Sequence, residues 1–285
     1  MPEPSTRRTF LGAGAAVSLL PGTRVSAAVS DAGCAFRLGV ASYSFRKFSR
    51  ERAIQMTLAL GVRDINIKSF HLPLESTPEQ IRAARAEFEG AGLAIDGGGN
   101  IAFDKEDEGA IRRTFEYARL AGMPLMVCAP TLRTLPMLEK FVREYDIRLA
   151  IHNHGPEDKV FPTPQSVLVA VKGMDARIGC CVDVGHTLRA GADPVASLSD
   201  AGPRLLDIHM KDLRKPVEGQ DCPVGDGVMP VAAIFHQLQE MHYAGGVMLE
   251  YEAEAENPFP GMLKSFAYMR GVLAGFDFDT SDKKS

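Results

Sequence analysis

The fold of this chain is decided by the stretch Ile178-Gly-Cys-Cys-Val-Asp-Val-Gly-His186 and the nearby stretch Leu205-Leu-Asp-Ile-His-Met-Lys-Asp212. Each begins with a short aliphatic run and is followed by a helical pattern, which indicates parallel strands joined by crossover helices. Asp183 and His209 therefore stand where two neighbouring strands end, the position at which α/β proteins collect ligand-binding residues. Taken singly, Asp183 is also suited to cap a helix. His209 could likewise be a buried histidine whose hydrogen bonds are made within the protein. Together they favour a divalent-metal site.

The same alternation of strand and helix occurs eight times between Phe36 and Ala274. The predicted strands are 36–43, 62–68, 93–99, 124–128, 148–153, 178–182, 205–209 and 246–250. The predicted helices are 50–60, one entered at 77–80, 104–120, 134–144, one entered at 163–165, 194–201, 231–241 and 262–274. Eight such units predict a single (β/α)8 TIM barrel over residues 29–275, followed by a disordered tail at 276–285.

Residues 1–28 have the pattern of a twin-arginine export signal. Arg7-Arg8 precede the apolar run Gly12–Leu20, and the small residues of Val25–Ala28 supply a cleavage site. The apolar run is too short to span a bilayer, so we expect export to the periplasm and no stable membrane anchor. A disordered basic tail would explain the two arginines but not the order of the three zones.

Charge and cysteine content narrow the classes of partner. The chain has 32 basic and 36 acidic residues, which gives a net charge of −4. Residues 1–28 carry a charge of +2, so the chain without them has a net charge of about −6. Such an acidic balance argues against nucleic acid as a partner. The five cysteines include no Cys-x-x-Cys pair, so they indicate no disulfide framework.

The strand ends of the second half are rich in side chains that bind metals or substrates. They are His152 and His154 on the fifth strand, Asp183 and His186 on the sixth, His209 and Lys211 on the seventh, and Glu250 and Glu252 on the eighth. Because side chains alternate along a strand, His152 and His154 share one face. Inward-facing polar groups are costly unless paired or metal-bound, so this convergence predicts a site.

Two residues of the second unit give weaker signals. Lys68 ends the second strand and is a candidate for holding a substrate hydroxyl or carbonyl, although a surface lysine fits the position equally well. His71 follows in the next turn and is expected at the same rim.

The motifs around these residues resemble a known superfamily. Cys181-Val-Asp-Val-Gly-His186, His209-Met-Lys-Asp212, Val224-Gly-Asp-Gly227 and Leu249-Glu250 are similar to those of the sugar-phosphate isomerase/epimerase superfamily, the xylose-isomerase-like barrels related to tagatose 3-epimerase and endonuclease IV. The resemblance covers residues 36–274.

The resemblance implies one divalent metal ion with four ligands from the ends of strands five to eight. Those positions are His152, Asp183, His209 and Glu250. Manganese is the first expectation, with cobalt or zinc as alternatives, since a mixed oxygen and nitrogen set suits them better than calcium. The resemblance also implies substrate contacts from His71 and His186. His154 and Lys211 are further candidates for substrate binding, and Lys211 and Asp212 are also expected to order the ligands.

The fifth strand departs from the epimerase pattern, because His152 stands where those enzymes have a glutamate. A proton relay between two carboxylates is therefore not expected, and the candidate catalytic pair becomes Glu250 with His152. The endonuclease alternative is weaker still, since residues 219–223 offer no Asp-x-His ligand pair.

Three classes of function remain for the sequence. The first is a metal-dependent isomerase or epimerase of a free ketose, acting by proton removal beside a metal-bound carbonyl. The second is a lyase or hydratase of a keto-sugar or keto-glycoside on the same scaffold. The third is a non-catalytic carbohydrate-binding barrel. All three imply a small-molecule carbohydrate as partner, and the sequence predicts no oligomeric state.

Overall fold

The computed structural model describes residues 35–217 and 219–281, so the predicted export signal lies outside the described residues. Eight parallel strands form the barrel. They are β1 Arg37–Ala41, β2 Asp64–Ile67, β3 Ala94–Phe103, β4 Leu125–Pro130, β5 Arg148–His152, β6 Ile178–Asp183, β7 Leu205–Met210 and β10 Gly246–Leu249. The barrel closes in the order β1-β10-β7-β6-β5-β4-β3-β2. The predicted single TIM barrel is confirmed.

Helices surround the barrel. They are α1 Arg50–Ala59, α2 Pro78–Gly90, α3 Glu108–Ala121, α4 Leu135–Tyr145, α5 Pro164–Ala170, α6 Val184–Arg189, α7 Pro194–Ala201, α8 Val231–Glu240 and α9 Phe259–Ser281. The predicted start of α2 is confirmed by a capping box between Thr77 and Gln80. The last helix extends past the predicted end at Ala274 and overlaps residues 276–281 of the predicted tail, and residues 282–285 lie outside the described part. None of the described helices is both long and apolar enough to cross a membrane.

A short helix and a short hairpin beside the ligand-type residues were not predicted. The short helix α6 begins directly after Asp183, whose side chain caps it by accepting from the backbone N–H of His186 at 2.7 Å. The short strands β8 Asp212–Leu213 and β9 Asp221–Cys222 form an antiparallel hairpin above β7. Both lie on the side of the barrel that carries the ligand-type residues.

Three consecutive glycines lie inside β3, not at its predicted end. A Cβ atom at Gly99 would stand 2.0 Å from the carbonyl oxygen of Val127, and one at Gly97 would stand 2.8 Å from that of Leu125. The glycines therefore allow β3 to approach β4 closely. The strand continues to Phe103.

The carboxylate of Asp212 holds the loop that follows the hairpin. It accepts backbone hydrogen bonds from Leu213, Gly225, Gly227 and Met229 at 2.8 to 3.0 Å. A Cβ atom at Gly227 would lie 2.1 Å from the same carboxylate, which explains the glycine. Asp212 thus shapes one wall of the site from outside it.

Candidate metal centre

Four ligand-type side chains from four neighbouring strands meet at the carboxyl end of the barrel. His152 ends β5, Asp183 ends β6, His209 lies in β7, and Glu250 follows β10 directly. One ligand atom from each lies within 4.8 Å of those from the other three, and all four residues are buried. The strand register produces this meeting, because Asp183 pairs with His209 in the parallel ladder.

The distances between the donor atoms suit a single ion. His152 Nε2 lies 2.9 Å from His209 Nδ1, and His209 Nδ1 lies 3.2 Å from Glu250 Oε2. His152 Nε2 is 3.5 Å from Asp183 Oδ2. Two atoms that bind one ion at about 2.0–2.2 Å stand roughly 3 Å apart, so these atoms are spaced as neighbouring ligands.

An unsatisfied carboxylate oxygen indicates that the cluster is incomplete without a further cation. Asp183 Oδ2 is buried and has no hydrogen-bond partner, and the Lys211 ammonium forms only an ion pair with it at 3.3 Å. A buried carboxylate oxygen in this state is costly, and most such atoms in proteins are paired or coordinate a metal. The donor set of two carboxylates and two imidazoles therefore fits a divalent ion of the manganese, cobalt or zinc type.

Cys181 offers a second set of donors with His152 and His209. Burial raises the pKa of the Cys181 thiol well above its ordinary value, and the nearby Asp207 carboxylate raises it further. A protonated thiol is a poor ligand, so the set containing the two carboxylates is the better cation site.

Two buried lysines balance the carboxylates. Lys211 Nζ lies 3.3 Å from Asp183 Oδ2 and 3.1 Å from Glu250 Oε2, and it also forms an ion pair with Glu252. Lys68 Nζ lies 3.1 Å from Glu250 Oε1 and 3.4 Å from His209 Nε2. Lys68 is therefore part of the site and not a surface lysine.

These neighbours keep both carboxylates ionised. Burial opposes ionisation of Asp183, but Lys211 and His186 hold its pKa well below the usual range. Burial likewise opposes ionisation of Glu250, but His209 and Lys68 hold its pKa well below the usual range. Both residues are thus anionic at neutral pH, which is the form that binds a metal ion.

His152 and His154 are held in the neutral form. Burial lowers the pKa of His152 well below its ordinary value, and the neighbouring His209 adds to the effect. Burial and His186 lower the pKa of His154. Neutral imidazole is the form that coordinates metals, so His152 is suited to the role of ligand.

A cavity of about 270 Å³ opens beside the four donors. Of the predicted substrate-binding residues, Lys68, His154 and His186 line this cavity, and Lys211 lines an adjoining one. His71 does not line it. Its Nδ1 lies 2.9 Å from Ser42 Oγ, and burial lowers its pKa.

The structure adds Tyr43 and Asn100 to the lining, which also contains Glu252 from the ligand-type residues predicted on the eighth strand. Asn100 Nδ2 lies 3.0 Å from His154 Nε2 and so helps to orient that imidazole. Asn100 was missed because the third strand was predicted to end at Gly99. Tyr43 was placed at the end of the first predicted strand, and no spacing signal assigned it a role.

Comparisons with known proteins agree with this architecture. The rhizopine catabolism protein MocC of Rhizobium meliloti is 28% identical over 172 residues, which cover 53% of this chain and 52% of MocC. An inosose dehydratase of Clostridium beijerinckii is 29% identical over 106 residues, covering 31% of this chain and 36% of that enzyme. This chain thus spans about half the length of the first curated relative and about a third of the second.

A solved structure shows the same fold. The D-psicose 3-epimerase of Clostridium cellulolyticum H10, determined with D-tagatose, superposes with a TM-score of 0.69 at 16% identity and covers 84% of this chain and 99% of its own. The model of one family, the xylose isomerase-like TIM barrel, matches residues 60–272. This chain therefore belongs to the xylose isomerase-like TIM-barrel family.

Proposed function

We propose that this protein is a divalent-metal-dependent lyase of a non-phosphorylated keto-carbohydrate, which removes the proton beside the carbonyl and expels an oxygen substituent from the next carbon. The observation that carries the proposal is the position of Glu250, which belongs to the donor set and also lines the cavity. A bound divalent ion would polarise the substrate carbonyl and so acidify the adjacent C–H bond.

The two oxygens of Glu250 have different surroundings. Oε2 lies among the donor atoms, 3.2 Å from His209 Nδ1, whereas Oε1 lies 3.1 Å from Lys68 Nζ. Oε1 is therefore the atom placed to accept the proton from carbon, and the Lys68 ammonium is placed to donate a hydrogen bond to substrate oxygen.

Elimination then needs a proton for the leaving oxygen and a hydrogen-bond donor that orients it, and His186 fits the second role. Its Nδ1 lies 3.1 Å from an Arg189 nitrogen that can only donate, so the ring presents its N–H on Nε2. The electrons of the broken C–H bond form a C=C bond, the C–O bond to the next carbon breaks, and Glu250 gives the departing oxygen the proton that it took from carbon. Glu250 ends the step ionised, as it began.

The lining of the cavity favours a substrate without a phosphate group. Among the described residues that line it there is no arginine, and Lys68 is already paired with Glu250. Phosphate recognition ordinarily uses unpaired cations or clustered backbone N–H groups. The curated relatives that bear the name inosose dehydratase also favour elimination from an unphosphorylated ring.

An isomerase or epimerase is the second candidate, supported by the named epimerase of similar fold. Epimerisation also needs a second proton-carrying group on the opposite face of the substrate, and the supply of that group is the weak point of this candidate. The two carboxylates of the cavity, Glu250 and Glu252, come from one chain segment, and His152 fits a ligand better than a proton carrier because its Nε2 lies within the donor set. His154 or His186 would have to serve as the second group.

Deuterium exchange separates these candidates. Metal-loaded protein is incubated in deuterated water with a panel of keto-sugars and keto-cyclitols, and the products are followed by NMR and mass spectrometry. The proposal predicts an unsaturated product and release of water or an alcohol. Exchange with only isomeric products would favour the second candidate, and substrate binding without either would favour the carbohydrate-binding barrel.

We also propose that Arg7 and Arg8 direct export of the chain to the periplasm, on the sequence pattern alone. Replacing both with lysine keeps the charge but removes the paired guanidinium groups. The doubly substituted precursor is expected to accumulate in the cytoplasm, as measured by fractionation. An unchanged periplasmic yield would contradict the export proposal.

A further inference from the structure

A second cavity adjoins the one beside the metal centre. It measures about 220 Å³ and lies between α6 and the β8–β9 hairpin, where Arg189, Lys211 and Asp221 contribute to its lining. The two cavities share His186 and Glu252. These two residues therefore form the boundary between the cavities.

The cations around the second cavity are already paired. Lys211 is held by Asp183, Glu250 and Glu252, and Arg189 by Glu157. Asp221 Oδ2 accepts the backbone N–H of Glu252 at 3.2 Å. Such a wall presents both donors and acceptors while its two cations are compensated, so it suits a neutral ligand rich in hydroxyl groups better than a phosphate.

The boundary residues are suited to a bridging oxygen. With its Nδ1 facing Arg189, the neutral His186 ring has an N–H on Nε2 to offer as a hydrogen-bond donor. The opposite boundary residue, Glu252, supplies only acceptors when ionised. A ligand that crosses the boundary thus meets one donor and one acceptor, as an oxygen bridge flanked by hydroxyl groups requires.

We propose that the second cavity binds a second, neutral sugar unit, so that the substrate is a glycoside whose keto ring lies beside the metal centre. His186 donates a hydrogen bond to the glycosidic oxygen, and Arg189 and Asp221 bind hydroxyl groups of the second unit. This inference rests on the proposed function, and it specifies that the group expelled from the keto ring is the second sugar.

Three probes with one keto ring test the proposal, namely 3-keto-glucose, its methyl glycoside and 3-keto-trehalose. Their dissociation constants are measured by calorimetry on protein carrying Glu250→Gln, which prevents turnover, in the presence of manganese and with the bound metal counted, because Glu250 is also one of the four donors. The disaccharide is expected to bind about tenfold more tightly than the methyl glycoside, an increment that a few added hydrogen bonds provide.

Variants at the second cavity sharpen the test. Arg189→Ala and Asp221→Asn should each lower the ratio of disaccharide to monosaccharide affinity, by about tenfold for the arginine. The matched control is Arg214→Ala, an arginine that lines the neighbouring open cleft and not the second cavity, and it should leave the ratio unchanged. Two variants at separate positions keep the test valid if one fails to fold.

The outcomes separate this inference from the proposed function. Equal affinity for all three probes, or an unaltered ratio in both cavity variants, would overturn the second subsite while leaving the proposed function in place. Binding of none of the probes to metal-loaded protein would overturn both.

Discussion

The two ends of the barrel both carry clusters of charged side chains, and the clusters differ in how their polar atoms are satisfied. At the amino end, Arg37 donates to Asp64 at 2.8 Å, to Asp96 at 2.8 Å and to the carbonyl oxygen of Ala244 at 2.7 Å. At the carboxyl end, Asp183 Oδ2 has no hydrogen-bond partner. The first cluster completes itself with protein groups, and the second directs its donor atoms at a common point.

This difference separates stability from function on one scaffold. A self-satisfied cluster contributes to folding and needs no ligand, whereas buried donors left without partners are tolerated where a ligand will complete them. We therefore expect substitutions at the carboxyl end to affect metal binding and turnover, and substitutions at the amino end to affect the free energy of unfolding alone.

The largest effect is expected from Glu250→Gln. The amide cannot accept a proton from carbon, so turnover per bound metal ion should fall by about 10²- to 10⁴-fold, the range for loss of a general base; the metal is counted in each sample because Glu250 is also a donor. Deuterium exchange in the proposed substrate should disappear with it. Glu256→Gln is the control, because that side chain is 80% exposed and pairs with Lys47, away from the metal centre. Equal losses in both variants would contradict the assignment of the base.

A smaller but still large effect is expected from Asp183→Asn. The amide keeps the helix cap for α6, since asparagine caps as well as aspartate, but it removes the anionic ligand. Metal content should fall to a small fraction of that of the wild type. The stabilisation of about 2.7 kcal/mol that a metal supplies at 100 times its dissociation constant should also disappear.

The control for this substitution is Asp193→Asn, which alters the capping residue of α7 in the same way. That variant should retain both its metal and the rise in melting temperature on metal addition. Loss of metal in both variants would show that helix capping, and not ligation, explains the result.

The smallest effect is expected from Arg37→Ala at the amino end. The loss should be about 1–2 kcal/mol, between the values for exposed and buried ion pairs, because Arg37 is half-exposed while its partners are largely covered. Metal binding should not change. Arg133→Ala, at a side chain that is 83% exposed, is the matched control and should leave unfolding unchanged.

The free energy of unfolding of Arg37→Ala should depend on pH in a defined direction. Burial raises the pKa of Asp96, and Arg37 opposes that rise. Without the arginine the folded protein binds the Asp96 proton more tightly than the unfolded chain does, so the variant gains stability as the pH falls from 7 through the raised pKa. Chemical denaturation between pH 5 and 7 measures this, and a defect that is constant with pH would contradict it.

The sequence predicted the barrel and the rim of ligand-type residues because both follow from periodicity, and the family resemblance then implied which four of these residues are the donors. Alternating apolar runs locate strands, and parallel strands of a barrel place their carboxyl ends at one rim, so His152 and Glu250 were found without tertiary information. The positions of loop residues do not follow from such periodicity. His71 was expected at the cavity, but its turn lies against Ser42.

The burial of side chains and the close approach of backbone segments could also not be predicted from the sequence. Lys68 is as consistent with solvent as with the site until the neighbouring strands are assembled around it. The glycines of β3 resemble a strand end locally, and only the approach of Val127 shows why they are required. Asn100 was missed for the same reason, because its place in the cavity depends on the strand continuing past those glycines.

Titration of manganese into chelator-treated protein tests directly whether the four donors bind a metal ion. Calorimetry of the wild type should show one site per chain, and the same site should be lost in Asp183→Asn. No binding by the wild type, or binding of equal strength in the two proteins, would contradict the assignment of His152, Asp183, His209 and Glu250 as a metal centre.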